Sequence, residues 1–534
     1  MRKKRWTPVM GGALAGMLLI AGCQPVGKID VAQIIANNAS VKSMEGKQLI
    51  ALEITPDPSD SIPADQQLFM DLFGTMKLNM TEVKAKSPLE VSVKGNFEYK
   101  KGSIPFQLTM KSQQEFLLWF EGAKKPILIK NNMDAMKESG EKLQKVMIEQ
   151  MEQMQLRAVE SAPKLVAALL GAAPNPKTIS VQEAAQTIQG ESLMLNNIHA
   201  EIYGHELIDL FKGFVTNLLS DEKALKEIIG VFYDIYAPMI EEIAKQAEEE
   251  ELTGDGSSQV EMMLPFLKNK TLAVEFVYTM ISEQLKKVMK DFDASFEQFR
   301  ESESGKKLSE ALNDKQVLKV DLYADGKQQI RKSNTELLLT MPEEDKSGVK
   351  QIKVTMAEER WNINQPVTLH TIDTKDGVVD ISQSMGDVNA SKLLASLDPK
   401  STVYQLLKND LKITKKEINM LMDDSSFSAA STKPYNDQGT VMVPLRFVSE
   451  QLDADVSWND AAKQVTITDP LTGKVIVLTI DSTEATVNGS SRTLEKAAIL
   501  VEGSTFVPVR FVSENLDAKV EWDQNMNMVK ITRD

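Results

Sequence analysis

The sequence predicts an α+β chain in which antiparallel sheet is packed with long helices, followed by a small duplicated module of sheet and helix. Three observations carry this expectation. Apolar residues alternate with a period of two over 48–130 and again over 316–382. Between them, over 133–303, the spacing changes to three and four. Near the end, VPLRFVSEQLDADVSW at Val443–Trp458 returns as VPVRFVSENLDAKVEW at Val507–Trp522, an offset of 64. A period of two marks strands with one face buried, a period near 3.6 marks amphipathic helices, and internal self-similarity marks a unit used twice.

The first strand region holds Met76, Leu78 and Met80, then Leu89, Val91 and Val93 with Phe97 and Tyr99, then Ile104, Phe106, Leu108 and Met110. Phe116–Phe120 and Ile127–Ile129 continue it. Polar breaks such as Lys100-Lys101-Gly102-Ser103 suit the turns of a meander. In the helical region Leu207, Leu210, Phe211, Phe214 and Leu218 form one stripe, and Ile228, Phe232, Ile235 and Met239 another. One strand, near 193–203, interrupts these helices, and Gly254–Ser258 is a flexible break. The second strand region begins with Val320 and Leu322 and turns at Asp325-Gly326. It continues through Leu337, Leu339, Ile352, Val354 and Met356 to Val367 and Leu369.

Each copy of the repeat is expected to be a helix followed by a hairpin. Pro444 stands where its missing N–H does no harm, at the helix start, and Leu445, Val448 and Leu452 share one face. Val456 and Trp458 then alternate as a strand whose partner holds Val465 and Ile467. The second copy repeats the series with Pro508, Val509, Val512, Leu516, Val520, Trp522, Val529 and Ile531. Further strands at Val475–Ile480 and Thr483–Val487 precede an Asn488-Gly489 turn. Met422–Ser426 matches Val487–Ser491 at an offset of 65, which extends the module back to about Lys415, with repeats at about 415–468 and 475–532.

The beginning of the chain sets the expected compartment. Arg2, Lys3, Lys4 and Arg5 precede an apolar run at Val9–Ile20, too short for a comfortable membrane span and suited to a signal peptide over 1–22. The run ends in Leu19-Ile20-Ala21-Gly22-Cys23, which resembles the lipobox of bacterial lipoproteins. That resemblance implies that the peptide is cut before Cys23 and that this cysteine, the single one in 534 residues, takes a diacylglyceryl thioether. The expected location is the outer face of the bacterial cytoplasmic membrane, with 23–47 as anchor and linker. The charge of −15 becomes −19 once the four leading cations are removed, so nucleic acid and anionic headgroups are poor electrostatic partners. With no other cysteine, the chain must be stabilised by buried cores.

Strands, helices and strands again over 48–405, behind a lipobox, resemble the half-barrel of Lol-type lipoprotein carriers in pattern, without a motif that matches residue by residue. The resemblance implies space for a lipid or other apolar ligand. A filled core is the alternative.

The repeated motif is more specific. Pro444, Arg446, Phe447, Glu450, Leu452 and Trp458, with Pro508, Arg510, Phe511, Glu514, Leu516 and Trp522, resemble the copper amine oxidase N-terminal-like, or stalk, domain. In that family each unit is an antiparallel sheet wrapped around a helix. The family usually has Gly after the helical Leu, in a left-handed conformation; Asp453 and Asp517 stand there in this chain.

The oxidase chemistry itself is not expected. It needs a quinone derived from a Tyr that follows an Asn, and three His ligands for copper. None of the eight tyrosines follows Asn, and His199, His205 and His370 are scattered. Met147, Met151 and Met154 share a helical face, where thioethers could serve as soft ligands but more commonly pack. Glu248–Glu251 reads as a solvated helix end. No nucleophile motif or phosphate loop is present.

The Arg446/Glu450 and Arg510/Glu514 pairs can bridge at i, i+4 or fix the helix to a neighbouring strand. Trp458 and Trp522 are expected to cover a small core, with stacking on sugar rings as the alternative. The sequence thus predicts a non-enzymatic envelope lipoprotein without cofactor, whose stalk module contacts wall polymer or another envelope protein. A lipid or apolar-ligand carrier is the first alternative, and an enzyme with a carboxylate site the second.

Overall fold

The computed structural model describes residues 25–58, 62–112, 115–130, 142–249, 269–342, 347–380, 389–422 and 434–534. The expected signal peptide, Cys23, the start of the helical region near Met133, the Gly254–Ser258 break and the Asp423–Ser426 turn fall outside these residues, as do the side chains of Met147 and Glu248–Glu251. The chain divides into two compact units, Met1–Leu118 with Ile129–Ile372 and Trp119–Leu128 with Asp373–Asp534. It is a mixed chain of helices and large, mostly antiparallel sheets.

The first unit starts with helix α1 (Val31–Ala39), whose Asp30 cap accepts from the Gln33 N–H. There follow β1 (Met44–Pro56), α2 (Ala64–Phe73), β2 (Thr75–Ser87), β3 (Glu90–Tyr99) and β4 (Gly102–Ser112), and β5 (Glu115–Phe120) and β6 (Ile127–Lys130) at the boundary between units. Next come α3 (Lys142–Ala172), β7 (Thr178–Ile188), β8 (Glu191–Tyr203), α4 (Leu207–Ser220), α5 (Glu222–Glu249), α6 (Lys270–Lys290), α7 (Phe292–Glu301) and α8 (Glu303–Ala311). The strands β9 (Val317–Ala324), β10 (Ile330–Thr340) and β11 (Val349–Trp361) complete it. Within this unit the antiparallel order is β4-β3-β2-β1-β11-β10-β9-β8-β7.

Strand register collects the alternating apolar residues onto one face. One row reads Ile104, Phe97, Leu78, Ile50 and Met356 across five strands. A second reads Leu52, Val354, Leu337, Leu318 and Ile202. At its far end Leu337, Leu318 and Ile202 are buried together with Leu210 of α4, and Val31 and Ile34 of α1 cover Ile198 and Ile330. Towards β1 and β2 the rows are half-buried.

Three expectations fail in this unit. Ala64–Phe73, inside the first strand region, is a helix: Pro63 sets its start and Leu72 buries its inner face. Thr178–Ile188, inside the helical region, is a strand despite its Glu, Ala and Gln content, because eleven residues pair in register with β8. Val367 and Leu369 lie in no strand. Their segment is instead held by a bond from the Asn364 N–H to the Ser43 carbonyl and one from the His370 N–H to Ser92 Oγ. The helical stripes are correct in their aliphatic members, Leu210, Leu218, Ile228 and Ile235, whereas Phe211 and Phe232 face outward.

In the second unit β12 (Val379–Asp380) pairs with β6 in parallel at Val379 and Ile127. Short helices α9 (Ala390–Ala395) and α10 (Thr402–Gln405) follow, and then the duplicated module. The first copy contains β13 (Lys416–Leu421), β14 (Tyr435–Asp437), β15 (Thr440–Pro444), α11 (Leu445–Gln451), β16 (Asp455–Asn459) and β17 (Gln464–Thr468). The second contains β18 (Val475–Thr479), β19 (Glu484–Val487), β20 (Ser490–Thr493), β21 (Ile499–Val501), β22 (Ser504–Pro508), α12 (Val509–Asn515), β23 (Ala518–Asp523) and β24 (Met528–Arg533).

The two copies are related by a pseudo-two-fold axis. In the sheet β14-β15-β22-β21, Val443 pairs with Val507, its own counterpart at the offset of 64. The flanking pairs, Met442 with Pro508 and Pro444 with Phe506, exchange with each other under that rotation. A residue can face its own copy in this way only on a two-fold axis. Each copy sends its helix and hairpin into one shared core, where Leu445, Val448, Leu452, Val509, Val512 and Leu516 are buried. The place that β18 takes beside β17 is taken beside β24 by β13.

Asp453 and Asp517 occupy the left-handed region expected at the helix ends, with φ of 63° and 58°. Lys416 pairs with Asp453 at 3.0 Å and Lys474 with Asp517 at 2.8 Å. The Asn488-Gly489 turn is a two-residue hairpin with φ of 50° and 78°, the geometry for which these residue types are favoured.

Candidate binding groove on the stalk module

Pro444 ends β15 and opens α11 directly, so seven helical residues suffice to bury Leu445 and Val448 and to turn Arg446, Phe447 and Glu450 outward. Register then puts Trp458 opposite Val465 and Val456 opposite Ile467, on the core side of their hairpin. Trp458 nevertheless does not cover the core. β16 is an edge strand, and its tryptophan is 38% exposed; Trp522, on the edge strand β23, is 45% exposed. The expectation of core tryptophans is corrected for both copies. The buried core of the module consists of Val, Leu, Ile and Ala side chains with Met420, and neither tryptophan is among them.

Beside Trp458 lies a groove of about 1000 Å³. Phe447, 49% exposed, stands on the helix side. Leu421 of β13 and Leu500 of β21, 65% and 48% exposed, stand on the others. The Arg446 guanidinium is held between Glu450 Oε1 at 3.1 Å and the Val456 carbonyl at 3.2 Å, so both expected uses of this arginine occur together. The Trp458 indole N–H points to Asp460 Oδ1 at 3.4 Å. Chemically the groove offers flat apolar surface with a charged rim. Such a surface can bind.

The second copy is not identical. Arg510 and Glu514 are exposed, and among the described residues no ion pair joins them; Phe511 is partly buried against the core. Pro508 and Leu516 are buried like Pro444 and Leu452.

Two residues outside the motif matter as much as those within it. Arg533, 4% exposed, pairs with the fully buried Asp469 at 2.6 Å and donates to the Leu452 carbonyl at 2.5 Å. These positions are again 64 apart, so the pair joins counterparts of opposite charge across the two-fold axis. Opposite charges at matched positions of a duplicate were a readable signal. Leu421 and Leu500 gave none, since an isolated apolar residue near a turn is ordinary.

The histidines do not assemble. His199 contacts Asp321 at 2.9 Å, His205 contacts Asp314 at 2.5 Å and His370 contacts Glu82 at 3.1 Å. Next to His199, the Tyr203 hydroxyl and then Lys319 hold the Glu201 carboxyl below the usual carboxylate range. Among the described residues no three His, Cys, Asp or Glu side chains gather as a metal site. Met151 is exposed on α3.

No curated protein matches the chain. Residues 421–531, which span both copies of the helix and hairpin, match the family model of the copper amine oxidase N-terminal domain.

Proposed function

We propose that this chain is a non-enzymatic envelope lipoprotein, held by lipid on Cys23 at the outer face of the bacterial cytoplasmic membrane, which contacts wall polymer or another envelope protein through the groove beside Trp458. One observation carries the reading: Trp458 and Phe447 stay partly exposed around a groove, although burying what remains of each ring is worth about 1 kcal/mol. Exposed aromatics beside an arginine are the composition of contact hot spots. The family match supports the non-enzymatic part, because it covers a domain separate from the one that holds the oxidase chemistry. The test is retention of purified Trp458→Ala on isolated cell walls. Loss of retention with unchanged melting is expected, and unchanged retention refutes the reading. For the anchor, Cys23→Ala should release the protein or leave its precursor uncut; a variant that stays membrane-bound and is processed normally refutes that part.

A second reading, an apolar-ligand carrier, is favoured by the half-buried row through Phe97, Leu78, Ile50 and Met356. Lys332 of β10 also reaches Gln186 of β7 at 2.9 Å past two intervening strands, as in a curled sheet. Mass spectrometry of an organic extract of the protein purified from membranes tests it: a ligand at one per chain supports the carrier, and its absence refutes it.

A further inference from the structure

The two-fold axis gives the duplication a functional meaning. It is fixed twice, by Val443 against Val507 and by Asp469 against Arg533. The axis relates the backbone of the two copies and the positions of their tryptophans, although Phe447 is exposed and Phe511 is partly buried. Trp458 and Trp522 occupy matched positions on edge strands and are exposed to similar extents, 38% and 45%, although the groove itself lies beside Trp458. We infer that the module is a divalent polysaccharide binder, with one sugar ring stacked on Trp458 and a second, from another segment of polymer, stacked on Trp522. The inference rests on the groove being a contact surface, and adds the ligand class and the number of sites.

The ligand class follows from the chemistry around the rings. A pyranose has an apolar face of C–H groups and a rim of hydroxyls, so it needs a flat aromatic surface with donors and acceptors at its edge. Trp458 supplies the surface, while Asp460, Glu450 and Arg446 supply the edge. In the second copy the helix Val509–Asn515, which packs on the strand of Trp522, carries the exposed Arg510 and Glu514. Repetition points the same way. A polymer of one repeating unit offers the same epitope many times, whereas a single folded partner would use a repeated surface only if it were itself repeated.

The axis also sets the geometry of binding. A sugar chain has direction, and a two-fold axis reverses direction, so one straight chain cannot cross both platforms in the same sense. Each site takes its own segment, and a mesh of chains is held at two points. Two-point attachment raises avidity by about 10²–10⁴ over either site alone when both can engage.

The experiment compares the full-length protein with Trp458→Ala, Trp522→Ala and the double variant. One arm uses insoluble peptidoglycan sacculi stripped of secondary polymers; a second uses the acid-extracted secondary wall polysaccharide, immobilised. The arm that retains the protein identifies the source of the sugar. A third arm titrates soluble tetrasaccharides from the retaining polymer by calorimetry. Each single variant should lose on the order of 10²-fold in retention while still binding the tetrasaccharide, at one site where the parent shows two. Trp458→Phe and Trp522→Phe should restore most of the retention, which separates loss of stacking from loss of folding. If Trp458→Ala abolishes retention and Trp522→Ala is silent, divalency is overturned and the groove reading survives. If the parent binds neither polymer, or if neither variant changes retention on sugar, the inference is overturned. Retention through an extracted wall protein instead also overturns it, and leaves the broader contact reading standing.

Discussion

Replacing Arg533 by Met should loosen the seam between the two copies by about 3 kcal/mol. The substitution keeps apolar bulk at a position that is 4% exposed and removes the guanidinium. Asp469, fully buried, then retains two donors, the Leu471 N–H at 3.0 Å and the Thr472 hydroxyl at 2.9 Å, while the Leu452 carbonyl loses its partner. Stranding one member of a buried pair costs about 3–5 kcal/mol, and the surviving donors place this case at the lower end. For a unit of this size the loss corresponds to roughly 6–12 °C in Tm. Removing both charges, with Asp469→Leu added, should recover most of it, since replacing both partners by apolar groups is often close to neutral. The axis adds a sharper expectation. Combining Asp469→Arg with Arg533→Asp places a guanidinium where Leu516, the counterpart of Leu452, can supply the carbonyl, so the reversed pair should recover more than half of the loss. Urea unfolding followed by tryptophan fluorescence measures these differences, as Trp458 and Trp522 both lie in the module. A cost below about 1 kcal/mol for Arg533→Met, the value of an exposed pair, would refute the reasoning.

Two further outcomes are expected. The hydroxyls of Ser449 and Ser513, counterparts on the two helices, are buried and have no hydrogen-bond partner among the described residues. An unpaired buried hydroxyl costs about 1–3 kcal/mol, so Ser449→Ala and Ser513→Ala should each raise the melting temperature of the module; a drop for both in calorimetry would count against it. In the first unit, burial and then Lys94 and Lys84 hold the His370 imidazole below the ordinary histidine range, against the opposing pull of Glu82 and Glu45. Its contribution is complete above about pH 6.5 and shrinks as pH falls below that value, because the unfolded chain takes up a proton that the folded chain refuses. His370→Gln should flatten the fall in stability below about pH 6.5, and a slope equal to that of the parent would dispose of this assignment.

The legible parts of the fold were those where a local pattern and a tertiary need agree. Ile50, Leu78 and Phe97 alternate because their strands share one apolar face, and the register confirms it. β7 was hidden because its Glu, Ala and Gln residues favour helix in isolation, and only long-range pairing with β8 decides its state. The helix Ala64–Phe73 was hidden by its surroundings, although Pro63 marked its start. In the module the motif located α11 and α12, and even the left-handed turns at Asp453 and Asp517. It misassigned the tryptophans, because alternation tells which face of a strand a side chain occupies and not whether that strand lies at the edge of its sheet. The far walls of the groove, Leu421 and Leu500, come from segments that no local pattern connects to Trp458.

The pairing of β13 with β24 brings Lys416 opposite Arg533, so the polypeptide enters and leaves the module at neighbouring points. A segment with adjoining ends behaves as a cassette. It can be spliced into a surface turn of an unrelated host whose flanking residues are only about 5.5 Å apart, the spacing of paired strands, without the host having to stretch or reorganise. The same closure makes the choice of cut point for a new terminus free, so a circular permutant that joins these ends by a short linker and opens at the Asn488-Gly489 turn should keep the same interior.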